Sequence, residues 1–110
     1  MQPLKQGDII IANSNPTKGR EQHGKRPALV ISNNDYNKRT GLIIISPISN
    51  TSNNFPLHLP LPPNLKTTGS VLAQHIRTID PTEREVSVVE QLPADSLQHI
   101  LHVINLVFNG

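Results

Sequence analysis

The chain has 110 residues, which is enough for one domain with a modest hydrophobic core. It has no cysteine, which excludes disulfides and thiolate zinc sites, and no apolar run near the ~20 residues of a membrane span. Its net charge of +2, from ten basic and eight acidic residues, is too small for binding nucleic acid through bulk charge alone.

The first half of the chain alternates short apolar runs with polar loops. Residues 9–12, 27–32 and 41–47 are apolar runs of the kind that form buried strands. Residues 33–37 are polar and rich in asparagine, which predicts a turn, and residues 49–54 predict a polar loop. This half therefore predicts three strands joined by polar connections.

The second half predicts further short strands and one helix. Residues 57–61 alternate between prolines, which predicts an edge strand, and residues 69–79 and 86–89 predict two or three more. From residue 97 onward an amphipathic helix is predicted, because Leu97, Ile100, Leu101, Ile104 and Phe108 recur at helical spacing. We expect Phe108 to pack in the core and Leu106 to lie off the apolar stripe. The sequence thus predicts one mostly β (α+β) domain over residues 1–110, a small barrel with a C-terminal helix.

Basic residues are concentrated between the first and the third predicted strands. Residues 18–39 hold six of the ten basic side chains, and two glycines frame part of this stretch. From Gly19 the spacing G-x-x-x-x-G-K imitates a phosphate-binding P-loop, but Arg26 stands where a magnesium-binding Ser or Thr is required, and a strand follows instead of a helix. We therefore reject a P-loop. A run of charges is usually a solvated face, and the interleaved glycines and the adjoining strand favour a polyanion site as the alternative.

Three residue types here suit cleavage of RNA. The 2′-hydroxyl of RNA can attack its own phosphodiester, so the protein needs only a base, an acid and donors to the phosphorane oxygens. Arg26 offers a fork of donors, Ser49 a hydroxyl and Glu21 a carboxylate. Residue types alone leave open the alternative that Arg26 and Glu21 form a surface ion pair worth ~0–1 kcal/mol.

The five histidines do not predict a metal site. His99 and His102 share one helical face but lack a third ligand, so we expect both in solvent. No metal and no cofactor is predicted.

Motifs along nearly the whole chain resemble the MazF/PemK/Kid family of toxin–antitoxin ribonucleases. They are G-D-I at residues 7–9, N-P-T-x-G-x-E-Q-x-G-x-R-P at 15–27, P-I-S at 47–49, T-T-G at 67–69 and R-T-I-D at 77–80. The resemblance implies an SH3-like barrel that forms a homodimer. It also implies a metal-independent, sequence-specific endoribonuclease that cuts single-stranded mRNA, leaving a 2′,3′-cyclic phosphate and a 5′-hydroxyl.

The resemblance also implies partners and a location. A cognate antitoxin would bind through an acidic tail, and DNA would be met only through the antitoxin complex. No membrane partner is expected, and the location is the bacterial cytoplasm.

The resemblance assigns roles to individual residues. Arg26 would stabilise the transition state or act as acid, Ser49 would grip the scissile phosphate, and Glu21 is a candidate base. We expect RNA contacts from polar residues of the same loops and strands: Lys18, Gln22, Lys25, Asn50, Asn53, His58 and Gln74.

Several positions depart from the family pattern. Ser49 stands where many members have Thr, and Leu72 and Gln74 replace an arginine and an aspartate to which the resemblance assigns a role in Kid-like members. Two alternatives therefore stay open: an inactive barrel that binds RNA or antitoxin, and a CcdB-like toxin that poisons gyrase. The second would need an exposed aromatic end, whereas Phe108 is expected in the core.

Overall fold

The computed structural model describes residues 3–13, 25–50 and 56–109. In these ranges, the chain forms seven strands and two helices: β1 Asp8–Asn13, β2 Lys25–Val30, α1 Asn34–Thr40, β3 Ile43–Ser49, β4 His58–Pro60, β5 Ser70–Leu72, β6 Arg77–Ile79, β7 Ser87–Gln91 and α2 Ala94–Asn109. The predicted mostly β fold with a C-terminal helix is confirmed.

All strand pairings are antiparallel, in the order β4-β5-β3-β2-β1-β7, and β6 also pairs with β3. Across the described ranges β4 and β7 remain the two ends of the sheet, so it resembles a barrel that is not closed. β3 pairs with β6 through Ile45 and with β5 from Ile48 onward. Pro47, which has no N–H to donate, falls in the gap between these two ladders, where its missing donor costs least.

Hydrophobic side chains cover both faces of this sheet. Because successive strand residues point to opposite faces, Ile9 joins one cluster and Ile10 the other. The first cluster is closed by Ile100 and Ile104 of α2. Burial on both faces explains why the strands are continuous apolar runs rather than alternating ones.

The turn predicted over residues 33–37 is wrong, since a helix, α1, begins there. The side chain of Asn33 caps it by accepting a hydrogen bond from the N–H of Tyr36 at 2.8 Å. Gly41 ends the helix at a φ of 73°, with its N–H donating to the carbonyl of Asn37 at 3.0 Å. Asparagine favours helix caps as well as turns, so composition alone did not distinguish the two.

The predicted burial of Phe108 is also wrong. In α2, Ile100 and Ile104 are buried, but Phe108 is 69% exposed, and Leu106 and Val107 are about half exposed. Ile104 is the last residue of α2 that is buried in the core. The turn that follows it therefore extends past the sheet. Leu106 is exposed, as its position off the stripe predicts. No helix in the described ranges is long and apolar enough to cross a membrane.

The G-D pair that opens the chain's motifs has a structural role. Gly7, at a φ of 96°, donates its N–H to Val30 and accepts from Leu92, so it joins β2 to the segment after β7. The buried carboxylate of Asp8 accepts from the N–H of Lys5 and from the side chain of Gln91, both at 2.9 Å. These bonds tie the beginning of the sheet to its last strand.

Candidate nucleic-acid interface

Strand register places Arg26 and Ser49 on the same face of the sheet. β2 and β3 pair Ala28 with Pro47, which is the last pair of their ladder, and Arg26 and Ser49 lie two residues beyond it on their own strands. Side chains two apart on a strand share a face. Arg26, at the beginning of β2, and Ser49, at the end of β3, therefore lie on the face that carries Ala28 and Pro47.

The same face continues across β5 and β4. Ser49 lies opposite Ser70, Ser70 lies opposite Pro60, and His58 lies opposite Leu72 in the adjacent row. We call the surface formed by Arg26, Ser49, Ser70, Pro60 and His58 the site face. Arg26 and Pro60 are exposed and the other three are half-buried, so the face is open to a ligand.

Three arginines line a cleft beside this face. Arg26 of β2, Arg77 of β6 and Arg84 surround a cavity of about 130 Å³, whose remaining lining is Ala12, Pro27, Ala28, Ile45, Pro47 and Ile79. No acidic side chain of the described ranges is part of this lining. Guanidinium groups present planar forks of donors that match phosphate oxygens, so the arginine cleft is suited to an anion.

The T-T-G motif packs directly against the end of β3. Gly69 has a φ of 117°, and a Cβ on it would lie 2.5 Å from the carbonyl oxygen of Ser49. The hydroxyl of Thr68 donates to the side-chain oxygen of Asn50 at 3.1 Å. Only glycine permits this close approach, so the motif defines the position of Ser49 and Asn50.

The structure brings some of the residues expected to bind RNA to this surface. Lys25 and Asn50 are exposed and adjoin Arg26 and Ser49 in the chain, and His58 lies on the site face. Gln74 lies apart, exposed in the turn between β5 and β6, with its amide nitrogen 3.4 Å from Nε2 of His75.

Four predicted site residues cannot be placed. Glu21, Lys18, Gln22 and Asn53 lie outside the described ranges. Ser49 itself belongs to β3 rather than to the polar loop predicted from residue 49.

Sequence reasoning did not select Arg77 or Arg84 as site residues. Arg77 was recognised only as part of R-T-I-D, yet it lies two residues before the buried Ile79 on the same strand. Alternation would therefore have placed Arg77 on the face of the second core cluster. The position of Arg84, in the connection after β6, has no comparable signal.

Other parts of the molecule offer less to this chemistry. A larger cavity of about 460 Å³ lies near α1, lined by residues such as Leu4, Lys38 and Leu42, and none of the predicted site residues lines it. His99 and His102 are exposed, and the described ranges contain no group of three side chains able to hold a metal ion.

Comparison with known proteins identifies the family. The model of the PemK-like, MazF-like toxins of type II toxin–antitoxin systems matches residues 5–108. The chain belongs to this family. Among the relatives of this PemK-like toxin, the endoribonuclease toxin MazF of Escherichia coli (strain K12) is 33% identical over 92% of the chain and 90% of MazF. The endoribonuclease PemK of Escherichia coli is 29% identical over 89% of the chain and 77% of PemK.

Solved structures of MazF share the fold of this toxin. MazF (Form-I) from Deinococcus radiodurans superposes with a TM-score of 0.85 at 32% identity, covering 100% of both chains. A MazE–MazF structure (Form-II) from the same organism gives 0.83 at 29% identity, over 97% of this chain and 96% of the other.

Proposed function

We propose that this PemK-like, MazF-like toxin is a metal-independent, sequence-specific endoribonuclease that cleaves single-stranded mRNA and so stops translation and growth. The observation that carries the proposal is the arginine cleft, whose lining includes Arg26 and Pro47, on the same face of the sheet as Ser49. It provides donors for phosphate oxygens at one place on an open face. Relatives that match most of this chain in sequence are named endoribonucleases, which supports the same reaction here.

The reaction follows from the chemistry of RNA. The 2′-oxygen attacks the adjacent phosphorus, the bond to the 5′-oxygen breaks, and the products are a 2′,3′-cyclic phosphate and a 5′-hydroxyl. Arg26 and the Ser49 hydroxyl donate to the non-bridging oxygens, where negative charge grows in the transition state. Glu21 is our candidate to accept the 2′-proton, and Arg26 or a water molecule gives a proton to the departing 5′-oxygen, which leaves as the hydroxyl. Arg77 and Arg84 line the same cleft as Arg26 and are our candidates to bind a neighbouring phosphate.

RNA bases would be read mainly by polar groups rather than by stacking. The chain has one tyrosine, two phenylalanines and no tryptophan, so stacking platforms are scarce. Lys25, Asn50 and His58 adjoin the arginine cleft or the site face and are the proposed contacts, with Gln74 at the periphery. From the sequence we add Lys18, Gln22 and Asn53.

We also propose two protein partners. A cognate antitoxin would place an acidic tail in the arginine cleft and inhibit by occupying it, since carboxylates and phosphates suit the same donors. MazF of Deinococcus radiodurans has been solved together with MazE, which supports an antitoxin partner. A second copy of this chain would cover the exposed end of α2 to form a homodimer.

The test is cleavage of a long single-stranded RNA in EDTA, with cut sites mapped. Arg26→Ala should lower the rate by about 10²-fold or more, the scale found when one donor to a developing oxyanion is lost. Because the Arg26 side chain is exposed, the thermal unfolding midpoint of Arg26→Ala should match that of the wild type. Arg39→Ala, which removes an exposed arginine of α1 paired with Asp35, is the matched control and should cleave normally.

Three results would contradict or redirect the proposal. A strict need for a divalent metal would refute metal-independent cleavage. RNA binding without any cleavage would favour the inactive-barrel alternative. Growth arrest that persists in Arg26→Ala would favour a gyrase poison, for which the exposed Phe108 supplies the required aromatic end.

A further inference from the structure

The carboxylate of Glu90 accepts hydrogen bonds from the loop that contains the T-T-G motif. Glu90 of β7 accepts the N–H of Lys66 at 3.1 Å with one oxygen. Its other oxygen accepts the N–H of Thr67 at 2.8 Å and the Thr67 hydroxyl at 2.7 Å. We call this arrangement the Glu90 clamp.

The clamped loop is in turn fitted to the end of β3. Thr68, the residue after the clamp, donates to Asn50, and Gly69 lies against the Ser49 carbonyl. Ser70 then pairs with Ser49 across β5 and β3. Two residues of the loop and the first residue of β5 therefore contact the two-residue segment Ser49–Asn50, while the preceding two residues bind Glu90.

Charge favours this arrangement. An ionised carboxylate is only an acceptor, and here it meets three donors. Partial burial acts to raise the pKa of Glu90, but the Thr67 hydroxyl, the two backbone N–H groups and the charge of Lys66 outweigh it, so the pKa lies below its usual value. Glu90 is therefore ionised at neutral pH, the state that the clamp requires.

We propose that Glu90 is a positioning residue of the ribonuclease reaction, which acts through Thr67, Thr68 and Gly69 to hold Ser49 and Asn50 at the scissile phosphate. This inference rests on the proposed function, because Ser49 is the hydroxyl that donates to the phosphate. Glu90 itself is not among the residues that line the arginine cleft or form the site face. Its effect on the reaction is the placement of a donor.

The kinetic test compares Glu90→Ala with Glu83→Gln. Glu83 is exposed in the turn after β6 and has no part in the clamp, so its variant controls for loss of one negative charge. Glu90→Ala should lower kcat by about 10-fold to 100-fold, the range expected when a reacting group is misplaced by an ångström or less. KM should stay within about 2-fold, because the arginines that bind the phosphates are untouched.

Conservative variants keep the test valid if Glu90→Ala folds poorly. Glu90→Gln retains the acceptor oxygen but replaces the other oxygen with a donor, so its kcat should fall between those of the wild type and Glu90→Ala. Thr67→Val removes only the hydroxyl donor while nearly keeping the shape, and should have the smallest effect.

A double-mutant cycle separates positioning from general destabilisation. If Glu90 acts through Ser49, then Glu90→Ala should reduce the rate much less in a Ser49→Ala background than in the wild type. Equal fold-losses in both backgrounds would overturn the proposal, since they would show that the two residues act independently.

Backbone NMR gives a readout that needs no activity. The amides of Asn50 and Ser70 should shift in Glu90→Ala and not in Glu83→Gln. If the wild type cleaves RNA and Glu90→Ala behaves as Glu83→Gln does, the positioning role is overturned and the proposed function stands. If the wild type does not cleave, the proposed function fails, and these shifts alone decide whether Glu90 holds Ser49–Asn50.

Discussion

At the scale of single residues, the candidate site depends on one glycine as much as on its charged groups. Gly69 combines a φ of 117° with contact to the backbone of Ser49. Gly41 also has a positive φ, of 73°, but a Cβ there would meet nothing within 4 Å. Substituting Gly41 therefore tests only the backbone conformation, whereas substituting Gly69 also tests the contact between residue 69 and the Ser49 backbone.

We predict that Gly69→Ala impairs RNA cleavage while Gly41→Ala does not. A Cβ at residue 69 forces the Ser49 carbonyl to move, whereas Gly41→Ala only pays about 1–2 kcal/mol for a left-handed alanine. The measurements are the cleavage rate and the free energy of unfolding in urea for both variants. Normal cleavage by Gly69→Ala would mean that the position of the Ser49 backbone is unimportant.

The residue scale also shows what the sequence could and could not predict. Arg26 and Ser49 were selected from motifs, and their common face follows from a register that hydrophobic patterning strongly constrains. Arg77 could have been predicted, because it lies two residues before the buried Ile79 on one strand and so shares its face. Glu90 could not have been, since its bonds to Thr67 join residues 23 apart through side-chain geometry that no periodicity encodes.

At the scale of elements, strands were easier to predict than helix ends. Apolar or alternating runs predict five of the seven described strands to within a few residues, whereas β5 and β6 fall inside the single predicted range 69–79. α1 was missed because it has only seven residues and its first ones favour turns. The sequence predicts the apolar stripe of α2. It does not predict that the buried part of this stripe ends at Ile104, because that depends on how far the sheet extends beneath the helix.

We predict that the exposed end of α2 mediates self-association. Phe108→Ser should shift the protein from dimer to monomer in sedimentation, because it removes the most exposed of the large apolar side chains. His102→Ser, at an exposed polar position of the same helix, should remain dimeric. If both variants sediment as the wild type does, the subunit contact lies on another surface.

At the scale of the whole molecule, one sheet separates two hydrophobic clusters, and only one of them includes residues of α2. Ile100 is 2% exposed and packs in the cluster with Ile9 and Leu29. The stability of the fold therefore depends on the helix being docked.

We predict that Ile100→Ala lowers the free energy of unfolding by about 2–5 kcal/mol, the usual cost of truncating a large core side chain to alanine. His99→Ala, one residue away and exposed, should change it by less than about 0.5 kcal/mol. Urea titration followed by circular dichroism measures both. Equal stabilities would show that α2 is not part of the core.

The ties between the two ends of the sheet have a consequence for synthesis on the ribosome. Asp8 binds Gln91, Gly7 binds Leu92, and the first cluster needs Ile100 and Ile104. Arg26 and Ser49 are translated before β7 and α2, and Glu90 arrives only with β7. A nascent chain therefore lacks the finished site until both later elements have left the ribosome, so we expect the proposed ribonuclease to be inactive while only its first half has been made.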